Sequence, residues 1–282
     1  MKDTELKALI TLLEDEDEEI VTHVEGRLME IGTGVIPMLE QEWEENFNPL
    51  IQRRIEDLIH VLQFELLQER LEDWKANRQE DLLEGLWLVA TYQYPDLDLE
   101  ELRQEIHQLY VEVWREFRSD LLPYDQVRIM NSVIFNKMKF RPNTRNFHSP
   151  ANSMINAVLE SKKGNPISLC SVYMLIAQKM DLPIFGVNLP NLFILTYRND
   201  SADFYINAFN KGLIFTRADI DNYLEHLGVP AQELFYNPCQ HLDIVLRSLR
   251  NLIVAFEKLG DYQKSDEVKT ILRRLDDQFS NF

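Results

Sequence analysis

The sequence contains little cysteine and has no long hydrophobic run. Two of its 282 residues are cysteine, Cys170 and Cys239, which are too few for a disulfide framework and predict reduced thiols in a reducing compartment. No apolar stretch approaches the ~20 residues that span a bilayer, and the opening segment MKDTELKALITLLEDEDEE lacks a signal-peptide pattern. We therefore expect a cytoplasmic protein that does not bind membranes.

Recognisable cofactor and metal motifs are also missing. Gly32 and Gly34 are not followed by the third glycine of a dinucleotide-binding loop, and no strand pattern precedes them. The pair Cys239 and His241 offers two metal ligands without a second pair. The acidic run at residues 14–19 lacks the glycine and the alternating ligand spacing of a calcium loop. The sequence predicts neither a cofactor nor a metal site.

The net charge of -18 is unevenly distributed. Residues 1–100 carry all of it, and residues 101–282 sum to zero. Because an acidic surface repels the phosphate backbone, we do not expect nucleic-acid binding. A modestly basic stretch in the second half leaves an anion-binding face open as an alternative to scattered surface charge. It comprises Lys137, Lys139, Arg141, Arg145, Lys162 and Lys163.

The apolar spacing from residue 5 to about residue 120 is helical. A shift of 31 residues places Ile20 on Ile51 and Val24 on Ile55, which is a weak internal repeat. Together with the helix breaks at Gly32 and at residues 46–49, this period predicts HEAT-like helix pairs. We assign residues 1–80 to this helical repeat region.

The hydrophobic period changes from 3.6 to 2 over residues 184–216. Four short segments, IFGVNLP, LFILTYR, DFYINAF and GLIFT, predict a small antiparallel sheet of consecutive neighbours and no other sheet. Residues 241–282 return to a helical pattern, in which two amphipathic helices joined at 259–261 predict a tetratricopeptide-like hairpin. Such a hairpin must dock on the preceding domain. The predicted fold class is a mainly helical α+β protein.

Three segments in this order resemble the SirB-type branch of the transglutaminase-like superfamily. They are YQYPDLDLEEL (92–102), FHSPANSMINAVLESKKGNPISLCSVYMLIAQKMDLPIFGVNLP (147–190) and LRNLIVAFEKLGDYQKS (249–265). The resemblance covers roughly residues 80–282 and implies a helical lead-in and a transglutaminase-like core over 81–240, followed by the hairpin. Strands before residue 150, or a parallel sheet, would argue against it.

The superfamily's chemistry requires a cysteine at the start of the long helix, a histidine on the second strand and an aspartate on the third. Matched to those motifs, the three positions are Pro166, Leu192 and Asn207. None of them is a nucleophile, a base or an acid. The resemblance therefore implies a degenerate enzyme that uses its core for binding.

Cys170 is the alternative nucleophile, since it lies one helical turn after Pro166. A catalytic thiol needs a base, and no histidine lies in the predicted strands; the remote candidates are His148 and His241. Cys170 also belongs to an apolar stripe with Ile167, Met174 and Ala177, which indicates an inert core thiol. The leading hypothesis is a protein or peptide binding module, and the alternative is a thiol-dependent hydrolase or acyltransferase.

Three amides are the candidate binding residues, namely Asn191, Asn207 and Asn210. Amides exchange hydrogen bonds with a peptide backbone but have no pKa near neutrality. They would surround an apolar crevice formed by Leu192 and Pro166. In the structural alternative, Leu192 plugs the crevice and the amides bond to nearby strand backbone. The ligand and the oligomeric state are not specified by the sequence.

Overall fold

The computed structural model describes residues 3–118 and 120–276. The chain divides into two compact units, residues 1–70 and residues 71–282. The first unit is helical. The second contains helices and two sheets.

Four helices build the first unit, and the last of them continues to residue 73: α1 (Asp3–Thr11), α2 (Glu18–Ile31), α3 (Ile36–Glu45) and α4 (Pro49–Asp73). Asp17 caps α2 by accepting a hydrogen bond from Glu19 N at 2.9 Å. Gly32 ends α2 with a φ of 77°, which glycine adopts without strain. The predicted helical spacing is confirmed by the core: Leu6, Ile10, Leu13, Val21, Val24, Leu28, Val35, Leu39, Ile51, Ile55, Leu58 and Leu62.

The proposed 31-residue equivalence is wrong at its first pair. Ile20 is 39% exposed, whereas Ile51 is 2% exposed. The buried face of α2 begins one residue later, at Val21, so the shift superposes the two buried faces only in part. Val24 and Ile55 are buried at both positions. The alignment of apolar residues between two helices does not reveal which residue of each helical turn faces the core.

The second unit opens with a π-helical turn at Trp74–Arg78 and four helices: α5 (Leu82–Thr91), α6 (Leu99–Trp114), α7 (Pro123–Asn131) and α8 (Ile155–Ser161). Asp81 accepts from Glu84 N at 3.0 Å, and Asp98 accepts from Glu100 N at 2.6 Å. These side chains satisfy backbone donors that have no partner within the helix. Asp98 is thus the N-cap of α6.

A four-stranded antiparallel sheet runs in chain order, as predicted. Its strands are β3 (Ile184–Leu189), β4 (Leu192–Asn199), β5 (Ala202–Asn207) and β6 (Leu213–Phe215). Helix α9 (Pro166–Lys179) contacts β3 and β4. Helix α10 (Arg217–Leu227) packs Ile220 and Leu224 against Val187, Ile194 and Tyr205 of the sheet.

The prediction of a single sheet is wrong. Two short strands, β1 (Arg141–Pro142) and β2 (Lys163–Gly164), pair in parallel. Arg141 N donates to Lys162 O at 2.9 Å, and Asn143 N donates to Gly164 O at 3.0 Å. Two residues cannot show a period in sequence, and this pairing satisfies the backbone of a loop beside the start of α9.

The chain continues into a helical hairpin of α11 (His241–Leu259) and α12 (Tyr262–Leu275). Gly260, with a φ of 78°, forms the predicted joint. Helix α11 packs on α5 and α9, so the predicted docking is confirmed. A Cβ at Gly85 would lie 2.5 Å from the Trp74 ring and 2.9 Å from Val245, which explains glycine at this crossing. Among the described helices, none is both long and apolar enough to cross a membrane.

Candidate functional site

A cavity of about 320 Å³ lies at the N-terminal end of α9. Its walls come from the loop before α8, the start of α9, the β3–β4 turn and α11. The lining residues are Phe147, His148, Ser149, Ser153, Asn165, Pro166, Ile167, Asn191, Phe193, Arg247, Asn251, Val254 and Ala255. The lining mixes apolar walls with a few polar groups, as small-ligand sites generally do.

The Gly-Asn-Pro segment forms a rigid helix start at this cavity. Asn165 Oδ1 accepts from Ser168 N at 3.0 Å, while Asn165 N donates to Ser168 Oγ at 3.0 Å. This reciprocal capping box satisfies donors at the start of α9. Asn165 Nδ2 also donates to Ser153 Oγ at 3.0 Å. A Cβ at Gly164 would lie 2.3 Å from Ser168 Oγ, so the motif has a structural explanation.

The loop wall of the cavity is organised by a buried amide. Asn152 Nδ2 donates to Asn146 O at 2.7 Å and to Phe147 O at 2.9 Å. Its Oδ1 accepts from Asn143 Nδ2 at 2.8 Å. These three bonds fix the backbone that carries Phe147 and His148, which lie edge to face with ring centroids 5.2 Å apart.

The three residues matched by resemblance to the family's catalytic positions do not converge on this cavity. Pro166 lines it, but Leu192 packs with the cluster that covers the α10 face of the sheet. Phe193, the next residue, lines the cavity instead. Asn207 Oδ1 accepts from Asn210 N at 3.1 Å at the end of β5. The predicted crevice centre of Leu192 and Pro166 is therefore wrong, because adjacent residues of a strand point to opposite faces.

The three candidate amides also separate. Asn191 lines the cavity and adopts a left-handed φ of 58° at the β3–β4 turn, a conformation that asparagine tolerates. Asn207 instead stabilises local backbone, in agreement with the structural alternative, and Asn210 is exposed in that same turn. The structure places one predicted amide at the cavity.

Cys170 is buried, as predicted. Its Sγ donates to Phe193 O at 3.5 Å, and burial raises the pKa of the thiol well above its usual range. Within the described chain no histidine is hydrogen-bonded to it. His241 instead lies near two glutamines. Its Nε2 is 3.3 Å from Gln178 Nε2, and its Nδ1 is 3.2 Å from Gln79 O. Nucleophilic catalysis by a thiol requires a base in contact with it, and the described residues provide Cys170 with no hydrogen-bonded histidine.

Arg247 is the charged residue of the cavity that sequence reasoning missed. Its Nη1 donates to Leu189 O at 2.8 Å and to Asn188 Oδ1. Burial, and then the charge of Arg250, lowers the pKa of its guanidinium. A signal was present in the sequence, since Arg247 and Asn251 interrupt the apolar stripe of α11 at a helical spacing.

No cluster of three or more His, Cys, Asp or Glu side chains is placed to hold a metal ion in residues 3–118 and 120–276. The thirteen lining residues contain no carboxylate. The cavity therefore offers a guanidinium, an imidazole, amides and hydroxyls beside aromatic and aliphatic walls. Such a set can bind a polar segment without supplying an activated nucleophile.

A model of the transglutaminase-like superfamily matches residues 100–250, more than half of the chain. The chain belongs to this superfamily. The two-residue parallel ladder at residues 141–164, which includes a strand before residue 150, therefore does not argue against membership. No solved structure matches the chain significantly.

Among individual proteins, the chain is similar to a UPF0162 protein of Xylella fastidiosa (strain 9a5c), with 31% identity over 178 residues. That match covers 61% of this chain and 63% of the relative, so it spans less than two thirds of the relative's length. The UPF0162 protein YchA of Escherichia coli K12 is 26% identical over 189 residues, and the match covers 66% of this chain and 69% of that protein. Human F-box only protein 21 is 28% identical over 152 residues, covering 51% of this chain and 23% of that protein.

Proposed function

We propose that the protein is a non-catalytic member of the superfamily whose cavity at the start of α9 binds a segment of a protein or peptide. The observation that carries this proposal is the composition of the cavity wall. Pro166, which the resemblance matches to the family's nucleophile, lines the cavity, and the nearby thiol of Cys170 is buried without a hydrogen-bonded base in the described chain. Chemistry is disfavoured at this site, whereas a bound segment would find both polar and apolar partners.

The lining suits an extended polypeptide. Asn191 and Asn251 present amides that can donate to and accept from a peptide backbone. Phe147 and Val254 supply apolar surface for side chains. A volume of about 320 Å³ is in the range of small-ligand sites, roughly 300–1,000 Å³. We expect the cavity to accept one or two residues of the segment.

The proposal retains the SirB-type arrangement of a HEAT-like region, a core and a tetratricopeptide-like hairpin, in a cytoplasmic protein. Its support is the order of the elements: helices precede the core, and a capped two-helix hairpin follows it. Helical repeats present extended surfaces that suit polypeptide partners.

Blocking the mouth of the cavity tests the proposal. Random hexapeptides are passed over immobilised protein, and the retained peptides are identified by mass spectrometry. Val254 lines the cavity and is 43% exposed, so Val254→Trp should fill its mouth without disturbing the core. Leu259→Trp is the matched control, because Leu259 lies on the same helix, is 66% exposed and does not line the cavity.

We expect the wild-type protein and Leu259→Trp to retain a common set of peptides, and Val254→Trp to lose at least tenfold in retention. No retained peptide, or equal retention by the blocked variant, would overturn the proposal. The thiol-dependent hydrolase remains the alternative, and the burial of Cys170 argues against it.

A further inference from the structure

Arg247 keeps two of its nitrogen positions free in a half-buried setting. Nη1 is occupied by Leu189 O and Asn188 Oδ1, whereas Nε and Nη2 make no hydrogen bond to any described residue. Arg250, three residues along the same helix, is instead paired with Asp276. Arg247 thus differs from its neighbour in having a cation without a carboxylate partner in the described chain.

Partial burial leaves this cation less solvated than a surface arginine. Moving a guanidinium out of water is unfavourable unless an opposite charge or hydrogen-bond acceptors replace the solvent. The cavity around Arg247 has no carboxylate, although the chain contains 47 acidic residues. The lowered pKa of Arg247, caused first by burial, is consistent with this deficit.

The free edge of the guanidinium has a defined direction. Two bonds from Nη1 to the end of β3 hold the planar group in place. The Nε and Nη2 hydrogens form the fork that matches the two oxygens of a carboxylate. Asn251 lies one helical turn further along α11, lines the same cavity and makes no side-chain hydrogen bond to the described residues. An amide donor therefore lies on the same wall as the cation.

We propose that Arg247 binds a carboxylate of the peptide segment that enters the cavity. This inference rests on the proposed function and specifies its ligand. A C-terminal carboxylate and an Asp or Glu side chain share the required chemistry. All of the cavity-lining residues lie in residues 101–282, whose charges sum to zero, so the net acidity of residues 1–100 does not act at this site.

Three hexapeptide libraries separate the sources of the carboxylate. The first has free C-termini and no acidic side chains, the second has amidated C-termini and no acidic side chains, and the third has amidated C-termini with Asp and Glu allowed. We expect the wild-type protein to retain the first or the third library at least tenfold better than the second. Retention of the first assigns a terminal carboxylate, and retention of the third assigns a side chain.

Variants connect this selectivity to the residue. Arg247→Gln should lose the preference for carboxylates, and Arg250→Gln, which removes a cation from the same helix outside the cavity, should keep it. Asn188→Ala removes one acceptor of Arg247 Nη1 but leaves the charge of the guanidinium. If this variant keeps the carboxylate preference, the preference depends on the charge and not on the bond to Asn188. Thermal unfolding of each variant verifies that it is folded.

The outcomes distinguish this inference from the proposed function. If all three libraries are retained equally and Val254→Trp abolishes retention, the cavity binds peptides and the role of Arg247 is wrong. A carboxylate preference that persists in folded Arg247→Gln also overturns the role of Arg247. If no library is retained, the proposed function fails and this inference fails with it.

Discussion

Burial controls the reactivity of the two cysteines. Cys170 is fully enclosed, and burial raises the pKa of its thiol far above neutrality. Cys239 is half-buried, and burial followed by the charge of Asp243 raises its pKa to about 12. The thiolate is the reactive form, so we expect both side chains to react slowly at neutral pH.

Alkylation of the native protein measures this effect. For Cys239, a pKa that moves from 9.0 to about 12 leaves about a thousandfold less thiolate at pH 8. We expect iodoacetamide to react with it about a thousandfold more slowly than in the unfolded chain, and the rate to rise about tenfold per pH unit. Cys170 should react only on unfolding. The unfolded chain in guanidinium is the control. Rapid stoichiometric labelling of native Cys170 would contradict this expectation and favour the thiol-dependent hydrolase.

Two neighbouring residues show why the site was only partly predictable. The family motif identifies Leu192, but the side of the sheet it occupies depends on the register of the hairpin. Leu192 pairs with Leu189, and both lie on the face covered by α10. Phe193 consequently turns toward the cavity. The turn residue Asn191 could be predicted because its position does not depend on that register.

Arg247 could not be assigned to a site from its sequence context. An arginine on an amphipathic helix is normally a surface residue. In the structure it is half-buried and bonds to Asn188 and Leu189 at the end of β3, which lie far from it in the chain. Those long-range contacts leave no local signal beyond the break in the apolar stripe.

At the scale of elements, the start of α9 depends on glycine and a hydroxyl group. Gly164→Ala would place its Cβ 2.3 Å from Ser168 Oγ. Because this hydroxyl completes the capping box, we expect a loss of roughly 1–3 kcal/mol in the free energy of unfolding, from overpacking together with cap disruption. Urea unfolding measures the loss.

Ser168→Ala provides the matched comparison, since it removes the clashing atom. The double variant should lose less than the sum of the two single losses, because both changes act on one contact. Additive losses would show that the clash is relieved elsewhere and that the cap is not the sensitive feature.

The elements themselves were largely predictable, and the exceptions have physical causes. The strands of residues 184–216 were identified because each is a short run rich in β-branched and aromatic residues between turn residues. Strand β4 is in fact buried on both faces. The β1–β2 ladder has two residues a strand, too short for any period. The 31-residue repeat fails at Ile20 because the pattern of apolar residues does not reveal which residue of a helical turn is exposed.

At the scale of the whole molecule, a hydrogen bond joins distant parts of the second unit. Tyr92, at the end of α5, donates to Glu267 Oε2 of α12 at 2.7 Å. Burial, then the bond to Glu267, raises the pKa of Tyr92, so the hydroxyl remains a donor throughout the usual pH range. The bond fastens the hairpin to the rest of the unit.

Removal of this hydroxyl should loosen the hairpin. A hydrogen bond to a charged group contributes about 1.5–3 kcal/mol, so Tyr92→Phe should speed hydrogen exchange of the α12 amides about tenfold or more where exchange follows local opening. Tyr94→Phe is the control, because Tyr94 is exposed and makes no side-chain hydrogen bond to described residues. Equal exchange in the two variants would show that packing alone holds α12.

The packing of α11 at the cavity also determines the order in which parts of the second unit can fold during synthesis. The hairpins of the sheet join neighbouring segments and can form as soon as they leave the ribosome, at a synthesis rate of about 5–20 residues per second. Arg247, Asn251 and Val254 emerge later. Until then the faces of α5 and α9 that α11 covers are open to solvent and to chaperones. The cavity at the start of α9 is therefore completed only after α11 has emerged.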